Sequence, residues 1–188
     1  MLKAAKTMIH PIPERIIYAY GEWQDIFEEM KGEIPNIEFV RGITESLVSR
    51  ENLDGQRTLL VIDDLADEIS PALIGAIFVK LSHHRHISTC FMVNNLFYRG
   101  LPNYRLIAVN TQYYIVFRNS RDQSSITTLA RQMFGSHYKY MVQAYEDSVK
   151  RDFGYLFIDL KSGSKKELRL RTNILPHQDT ICYVIKDG

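Results

Sequence analysis

Two adjacent carboxylates, Asp63 and Asp64, follow the most hydrophobic run of this sequence, Leu-Leu-Val-Ile at residues 59–62. An apolar run without alternation is typical of a strand that is buried on both faces of a sheet. A core has no use for two neighbouring negative charges, so this acid pair is expected where the strand leaves the core. There, the first carboxylate could hold Mg²⁺ and the second could orient or deprotonate the water that attacks a nucleoside triphosphate. The alternative is that both acids only meet solvent or cap the next helix.

Polar groups also follow two other apolar runs. The run STCFMVNN ends in Asn94 and Asn95, and QYYIVFRN ends in Arg118 and Asn119. In parallel sheets, ligands bind beyond the carboxyl ends of the strands, so these groups are expected to converge with the acid pair. Asn94 or Asn95 could hydrogen-bond a phosphate or the attacking water, and Asn95 is a candidate for cofactor binding. Simple capping of the strand ends is the alternative.

Four arginines lie between and just beyond these two strands: Arg99, Arg105, Arg118 and Arg121. An arginine in this region could reach a phosphate in a neighbouring subunit and stabilise the charge of the transition state. From the residues alone, four solvated loop arginines are an equally good interpretation.

The histidine-rich stretch SHHRHIS raises the question of a metal site. His83 and His84 are adjacent and Arg85 interrupts the set, which is poor geometry for a shared ion. A solvated helix end, where cationic side chains suit the helix dipole, is the preferred interpretation. A patch that faces phosphate or DNA is the other one.

The stretch FIDLK allows a different chemistry. It places Asp159 and Lys161 in the D-x-K spacing of some metal-dependent nucleases. Such a nuclease needs a further acid near that strand, usually at another spacing than the acid pair provides. The alternative is an ordinary strand that ends in surface charges.

The composition is that of a soluble globular protein, with 45% hydrophobic and 24% charged residues among 188. A net charge of +1 gives no global signature for a polyanion partner, so any basic surface must be local. The chain has no window near the roughly 20 apolar residues of a membrane span, and we expect no secretory leader and no membrane partner. Cys90 and Cys182 are interpreted as buried reduced thiols, which favours an intracellular protein of the nucleus or cytoplasm.

Apolar runs alternate with helix-like segments along the chain. Strands are predicted in residues 15–20, 37–40, 58–64, 88–95 and 112–119, with a closing pair in 154–161 and 168–173. Ser70 followed by Pro71 predicts a helix start. Strands separated by helices indicate an α/β fold, in which a mostly parallel sheet carries helices on both faces. We predict one domain over 1–188, with a C-terminal strand pair over about 155–188.

Five segments together resemble a known family. In chain order they are LLVIDDL, LSHHRHISTCFMVNNLFYRG, NTQYYIVFRNSRDQSSITTLARQMFG, FGYLFIDLK and LRLRTNILP. They resemble the DNA-packaging ATPases of the FtsK–HerA superfamily, most closely the branch of adintoviruses and Maverick/Polinton elements and more distantly the poxvirus packaging ATPases. The resemblance covers nearly the whole chain, and its most specific part runs from Ser82 to Gly135.

The resemblance implies a P-loop NTPase-like fold of the ASCE type, ATP and Mg²⁺ as cofactors, and a homo-oligomeric ring that moves double-stranded DNA into a capsid. The resemblance further implies capsid proteins as partners and association with the virion. By position, Asp63 matches the magnesium-associated acid of the family and Asp64 its catalytic acid. Asn94 falls where the family usually has Gln as the polar sensor, and its amide has a shorter reach. Arg105 and Arg121 fall in the region of inter-subunit arginines, and which of them acts stays open.

The sequence departs from the family in one motif. It contains no GxxxxGKS or GxxxxGKT run, the loop whose backbone amides and Lys hold the phosphates. By resemblance, the strand that carries this loop is also missing, and it would lie between the strands at 88–95 and 112–118. We therefore expect a fragment of a longer ATPase that is inactive alone and binds ATP weakly or not at all. The alternative is a genuine short protein that binds DNA or forms rings without catalysis.

Overall fold

The computed structural model describes residues 2–49, 55–81, 86–95, 97 and 103–185. Contacts divide the chain into two compact units, Met1–Asn110 and Thr111–Gly188, here called the first and second units. The prediction of a single domain stays a prediction, because two such units can also belong to one domain.

The first unit contains a four-stranded parallel sheet. Its strands are β1 (Arg15–Tyr20), β2 (Ile37–Arg41), β3 (Thr58–Asp63) and β4 (Ile87–Met92). Their order is β2-β1-β3-β4, and every neighbouring pair is parallel. The predicted strands at 15–20, 37–40, 58–64 and 88–95 are confirmed in existence and direction.

Helices cover both faces of this sheet. They are a 3₁₀ turn at Leu2–Ala4, α1 (Ala5–Met8), α2 (Ile26–Glu33), α3 (Pro71–Gly75) with a π-helix at Ala76–Leu81, and α4 (Tyr104–Asn110). One face packs Tyr18 and Val61 against Phe27 of α2, and the other packs Leu60 and Ile62 against α3 and the π-helix. Since buried side chains alternate between two helical layers, the strands read as unbroken apolar runs. The α/β prediction with helices on both faces is confirmed for this unit.

The predicted helix start at Ser70 and Pro71 is confirmed. The Ser70 hydroxyl accepts a hydrogen bond from the Leu73 N–H at 3.2 Å, and Pro71 is the first residue of α3. The cap satisfies an amide that has no partner within the helix, and proline costs nothing at a position whose N–H is unused.

The two edges of the parallel sheet differ in charge. On β2, Glu38 and Arg41 interrupt the apolar residues, and Glu38 forms an ion pair with Arg15 at 2.5 Å. The other edge, β4, reads Ile-Ser-Thr-Cys-Phe-Met and carries neither charge nor proline. Charges on an edge strand deter pairing with further strands, so β2 is protected in a way that β4 is not.

The second unit is built on a four-stranded antiparallel sheet. Its strands are β5 (Tyr113–Phe117), β6 (Tyr155–Asp159), β7 (Leu170–Thr172) and β8 (Ile181–Tyr183), in the order β5-β6-β7-β8. Its helices are α5 (Gln123–Phe134) and α6 (Tyr138–Ser148), with 3₁₀ turns at Gly135–His137 and Lys166–Leu168. Helix α6 packs on β6 and β7, where Leu156, Ile158 and Leu170 are fully buried. The predicted closing strand pair is confirmed as β6 and β7.

The expectation that the strand at 112–119 joins the parallel sheet is wrong. It forms β5, which pairs antiparallel with β6 in the other sheet. The apolar run Tyr-Tyr-Ile-Val-Phe is compatible with either sheet, because burial does not encode the direction or the identity of a partner strand. Consequently Arg118 and Asn119 do not share a sheet edge with the acid pair.

The two cysteines were expected to be buried. Both cysteines are free thiols on strands, but Cys90 on β4 is half-buried and Cys182 on β8 is exposed, so the prediction of burial is wrong for Cys182. Within the described ranges, no helix has both the length and the apolar character needed to cross a bilayer.

Candidate functional site

Asp63 is the last residue of β3 and lies at the carboxyl edge of the parallel sheet. In the strand registers it is level with Tyr20 at the end of β1 and with Met92 at the end of β4. All five residues of β3 that precede it are buried, whereas Asp63 itself is only partly buried. The hydrophobic strand therefore delivers a carboxylate to the boundary between core and solvent, as the sequence predicted.

One oxygen of Asp63 is held from the neighbouring strand. The Tyr18 hydroxyl donates a hydrogen bond to Asp63 Oδ2 at 2.7 Å. Tyr18 is 5% exposed, and burial first, then this hydrogen bond, raise the pKa of Tyr18 above its ordinary value. The phenol therefore stays protonated and remains a donor, which leaves Oδ1 of Asp63 for another partner.

Asp64 is exposed and has a left-handed backbone conformation, with φ of +55°. Aspartate and asparagine adopt this conformation more readily than most residues. It turns the chain back against the end of β1, where a Cβ added to Gly21 would lie 3.3 Å from the Asp64 carbonyl oxygen. The close approach favours glycine at residue 21, and the turn leaves the second carboxylate of the acid pair at the surface.

Asn94, which follows β4 and was expected to converge with the acid pair, lies beside Asp64. Asn94 Nδ2 lies 3.4 Å from Asp64 Oδ1, a long hydrogen bond between two exposed side chains. Asp63, Asp64 and Asn94 therefore form one cluster at the carboxyl edge, here called the edge site. It joins groups that are 30 residues apart in sequence.

Asn95 has a structural partner. Its side-chain oxygen accepts a hydrogen bond from the Phe97 N–H at 2.9 Å, which closes a short turn after β4. Such a bond to the backbone two residues on is the usual role of asparagine in a turn. No described residue accepts a hydrogen bond from the amide nitrogen of Asn95, and its predicted role in cofactor binding stays a prediction.

The candidate arginines are divided between the units. Arg105 is exposed on α4 in the first unit, and no hydrogen bond or ion pair joins it to another described residue. Arg121 is exposed in the second unit, where its backbone N–H donates to Asn119 Oδ1 at 3.0 Å just before α5. Arg99 lies outside the described residues, as do His83 and His84 with Arg85.

Asp159 has the environment of a structural acid. It is 6% exposed, and its Oδ1 accepts from the Lys161 N–H at 3.0 Å and from the Ser164 hydroxyl at 2.8 Å. Its Oδ2 accepts from the Arg171 guanidinium at 3.1 Å. Both oxygens are therefore used within the second unit, and the D-x-K nuclease interpretation gains no support.

Sequence reasoning missed Tyr18. The run RIIYAY was predicted as a strand, and nothing in it distinguishes a tyrosine that only packs from one that also binds an acid. The usable signal is chemical: a tyrosine within a buried strand needs a partner for its hydroxyl. Asp63, which ends the adjacent strand, supplies that partner.

The metal-binding capacity of the edge site rests on few protein groups. Among the residues that the structure describes, no three or more His, Cys, Asp or Glu side chains form a group able to hold a metal ion. Magnesium at nucleotide sites commonly takes only one or two carboxylates and completes its shell with phosphates and water. The two acids of the edge site fit that requirement, with Asp63 Oδ1 and the exposed Asp64 carboxylate as the available groups.

Comparison with known proteins gives no relative: no family model matches the chain, and neither the curated proteins nor the solved structures contain a match.

Proposed function

We propose that this chain carries the acid side of a magnesium–ATP site in a DNA-packaging motor of the FtsK–HerA type. The observation that supports this most is the edge site, in which Asp63 and Asp64 leave a buried parallel strand beside Asn94. Acids at this place in an open α/β sheet lie where nucleotides commonly bind.

Each residue of the edge site has a distinct role in the proposal. Asp63 contributes one carboxylate oxygen to the cation, while its other oxygen stays bound to Tyr18. Asp64, which is exposed, orients the attacking water and accepts its proton. Asn94 donates to Asp64 and fixes the direction of that carboxylate. Bound Mg²⁺ would supply neutralisation of the phosphate charge.

The proposal requires a phosphate-binding element that the 188 residues do not contain. The uncharged edge strand β4 supports a place for it, since strand pairing along β4 would continue the parallel sheet next to Asn94. A strand in that position would present its following loop at the same carboxyl edge as the acid pair. Arg105 or Arg121 would complete the site of a neighbouring subunit in a homo-oligomeric ring.

Double-stranded DNA is the proposed polymer substrate, and charge supports the second unit as the part that meets it. Residues 1–110 contain eleven Lys and Arg against fourteen Asp and Glu, a net charge of −3. Residues 111–188 contain twelve against eight, a net charge of +4. Basic surface binds the DNA backbone without regard to sequence, as a packaging motor needs. Capsid proteins are proposed as the partners that receive the DNA.

The proposal is tested by restoring the upstream segment. The reading frame before Met1 is expected to encode GxxxxGKS or GxxxxGKT, and the extended chain is expected to hydrolyse ATP in the presence of DNA. Asp64→Asn should lower kcat by roughly 10² to 10⁴-fold, the usual contribution of a general base. Asp25→Asn is the matched control, because Asp25 is exposed in the same unit and makes no side-chain capping bond.

Two results would contradict the proposal. The first is turnover by Asp64→Asn equal to that of the unaltered extended chain. The second is micromolar binding of a fluorescent ATP analogue to the 188 residues alone, since phosphate binding is proposed to come from elsewhere. DNA binding by an extended chain that hydrolyses no ATP would instead favour the non-catalytic DNA-binding alternative.

A further inference from the structure

Tyr18 connects the buried interior of the parallel sheet to the edge site. It lies on β1, directly beside β3, and on the sheet face that α2 covers. Its hydroxyl reaches Asp63 Oδ2 at 2.7 Å although the tyrosine itself is 5% exposed. The hydrogen bond therefore lies on the core side of the carboxylate, away from the side that a ligand would approach.

The ring of Tyr18 is fixed by other aromatic rings. The Phe27 ring centroid lies 5.1 Å from it and the Phe39 centroid 5.3 Å, both in tilted arrangements. Such contacts restrict where the phenol can point. The position of the donor is thus set by packing before any ligand binds.

We propose that Tyr18 is a positioning residue for Asp63, which determines the carboxylate oxygen that faces the cation of the proposed nucleotide site. This inference rests on the proposed function. The terminal torsion of aspartate is broad, so a carboxylate at a sheet edge samples many orientations unless a partner selects one. With Oδ2 bound to Tyr18, the torsion is held and Oδ1 is the oxygen that remains for the cation. Hydrogen-bond partners behind a metal-binding group typically contribute about 10- to 100-fold to metal affinity.

Tyr20 provides a matched control on the same strand and the same face. It is level with Asp63 in the strand register and packs against Phe27 and Trp23. Its hydroxyl makes no hydrogen bond to another residue in the described ranges. Tyr18→Phe and Tyr20→Phe therefore remove the same atom from neighbouring positions, but only the first removes a donor from Asp63.

The test is a titration of the 188-residue chain with Mn²⁺. Binding is measured from the electron paramagnetic resonance signal of the ion that remains free. Mn²⁺ uses the same oxygen ligands as Mg²⁺. Asp63→Asn should remove the Asp63-dependent binding, and Tyr18→Phe should weaken it by about tenfold, the low end of the known range. Tyr20→Phe should stay within about twofold of the unaltered chain. Tyr18→Phe also loses a hydrogen bond and should unfold at a lower temperature than Tyr20→Phe. Mn²⁺ affinity is therefore compared at a temperature at which thermal unfolding shows every variant to be fully folded.

The outcomes separate this inference from the proposed function. If Asp63→Asn weakens binding and Tyr18→Phe does not, the positioning role is wrong and the cation site stands. Equal weakening by Tyr18→Phe and Tyr20→Phe also overturns the positioning role. If the unaltered chain shows no binding that depends on Asp63, the cation site falls and the positioning role falls with it.

Discussion

Two strands of this protein end in Ile-Asp, and the two aspartates have opposite environments. Asp159 ends β6, is 6% exposed and accepts hydrogen bonds at both oxygens from within its own unit. Asp63 ends β3, is partly exposed and is bound at one oxygen by Tyr18. The same local sequence thus produces a structural acid in one sheet and an available acid in the other. What distinguishes them is the number of donors that the surrounding fold supplies.

The largest loss of stability is expected when Asp159 is replaced. Asp159→Ala leaves the Arg171 guanidinium without its partner, and removal of one member of a largely buried pair typically costs about 3 kcal/mol of unfolding free energy. Urea unfolding measures this loss. Asp152→Ala, at an exposed position of the same unit, should change the unfolding free energy by less than about 0.5 kcal/mol. If both variants behaved alike, Asp159 would regain its candidacy as a nuclease acid.

A smaller loss is expected at Tyr145, whose hydroxyl is also used internally by the second unit. It donates to the Phe117 carbonyl oxygen at 3.2 Å and accepts from the Asn119 N–H at 3.1 Å, which ties the end of β5 to α6. Tyr145→Phe removes both hydrogen bonds and should reduce the unfolding free energy by about 2 kcal/mol, since each typically contributes about 1 kcal/mol. A variant as stable as the unaltered chain would mean that water replaces both hydrogen bonds without cost.

Asp122 is another carboxylate that accepts hydrogen bonds from within its own unit, and it should make the stability of the protein depend on pH in the acid range. Hydrogen bonds from Ser125 first, and then from Ser124, lower the pKa of Asp122, the cap of α5. Because the folded pKa lies below the unfolded value of about 3.9, this stabilisation is present above that value and is lost as pH falls through the lowered pKa. Asp122→Asn keeps a capping acceptor but does not titrate. Its Tm should fall less than that of the unaltered chain between about pH 5 and about pH 2, and parallel curves would contradict this.

The smallest change in stability is expected at the edge site. Asp64→Asn keeps a short polar side chain that tolerates φ of +55°, so the unfolding free energy should change by less than about 0.5 kcal/mol. Chemical denaturation of the purified variant checks this. A loss near that of Asp159→Ala would place Asp64 among the structural acids and would end the contrast between the two sheets.

The fold was predictable where local chemistry decides it. The buried run before Asp63 and the Ser70-Pro71 helix start each have a physical cause that is local in sequence, and the structure contains both. The sheet membership of β5 was not predictable from its residues, because an apolar pentapeptide satisfies a parallel or an antiparallel neighbour equally well. The strand β8 was also missed, since its three residues are too few for a pattern.

The candidate site was predictable in part for the same reason. Strand ends in a parallel sheet share an edge, so the meeting of Asp64 with Asn94 follows from the order of elements. The bond from Tyr18 depends on which strand lies beside β3, and on which face its side chain falls. Neither is written in the residues near either partner. The roles of Arg105 and Arg121 stay predictions, because they concern a neighbouring subunit.

The uncharged edge strand of the parallel sheet has a practical consequence for handling the protein. A six-residue edge strand without charge or proline can serve as a template on which another molecule adds a strand. Concentrated solutions are therefore expected to lose material as insoluble aggregate. Ser88 is the exposed position on β4 at which a lysine would interfere least with packing. Ser88→Lys should therefore raise the yield of soluble protein from overexpression, which makes it a useful background for crystallisation and spectroscopy.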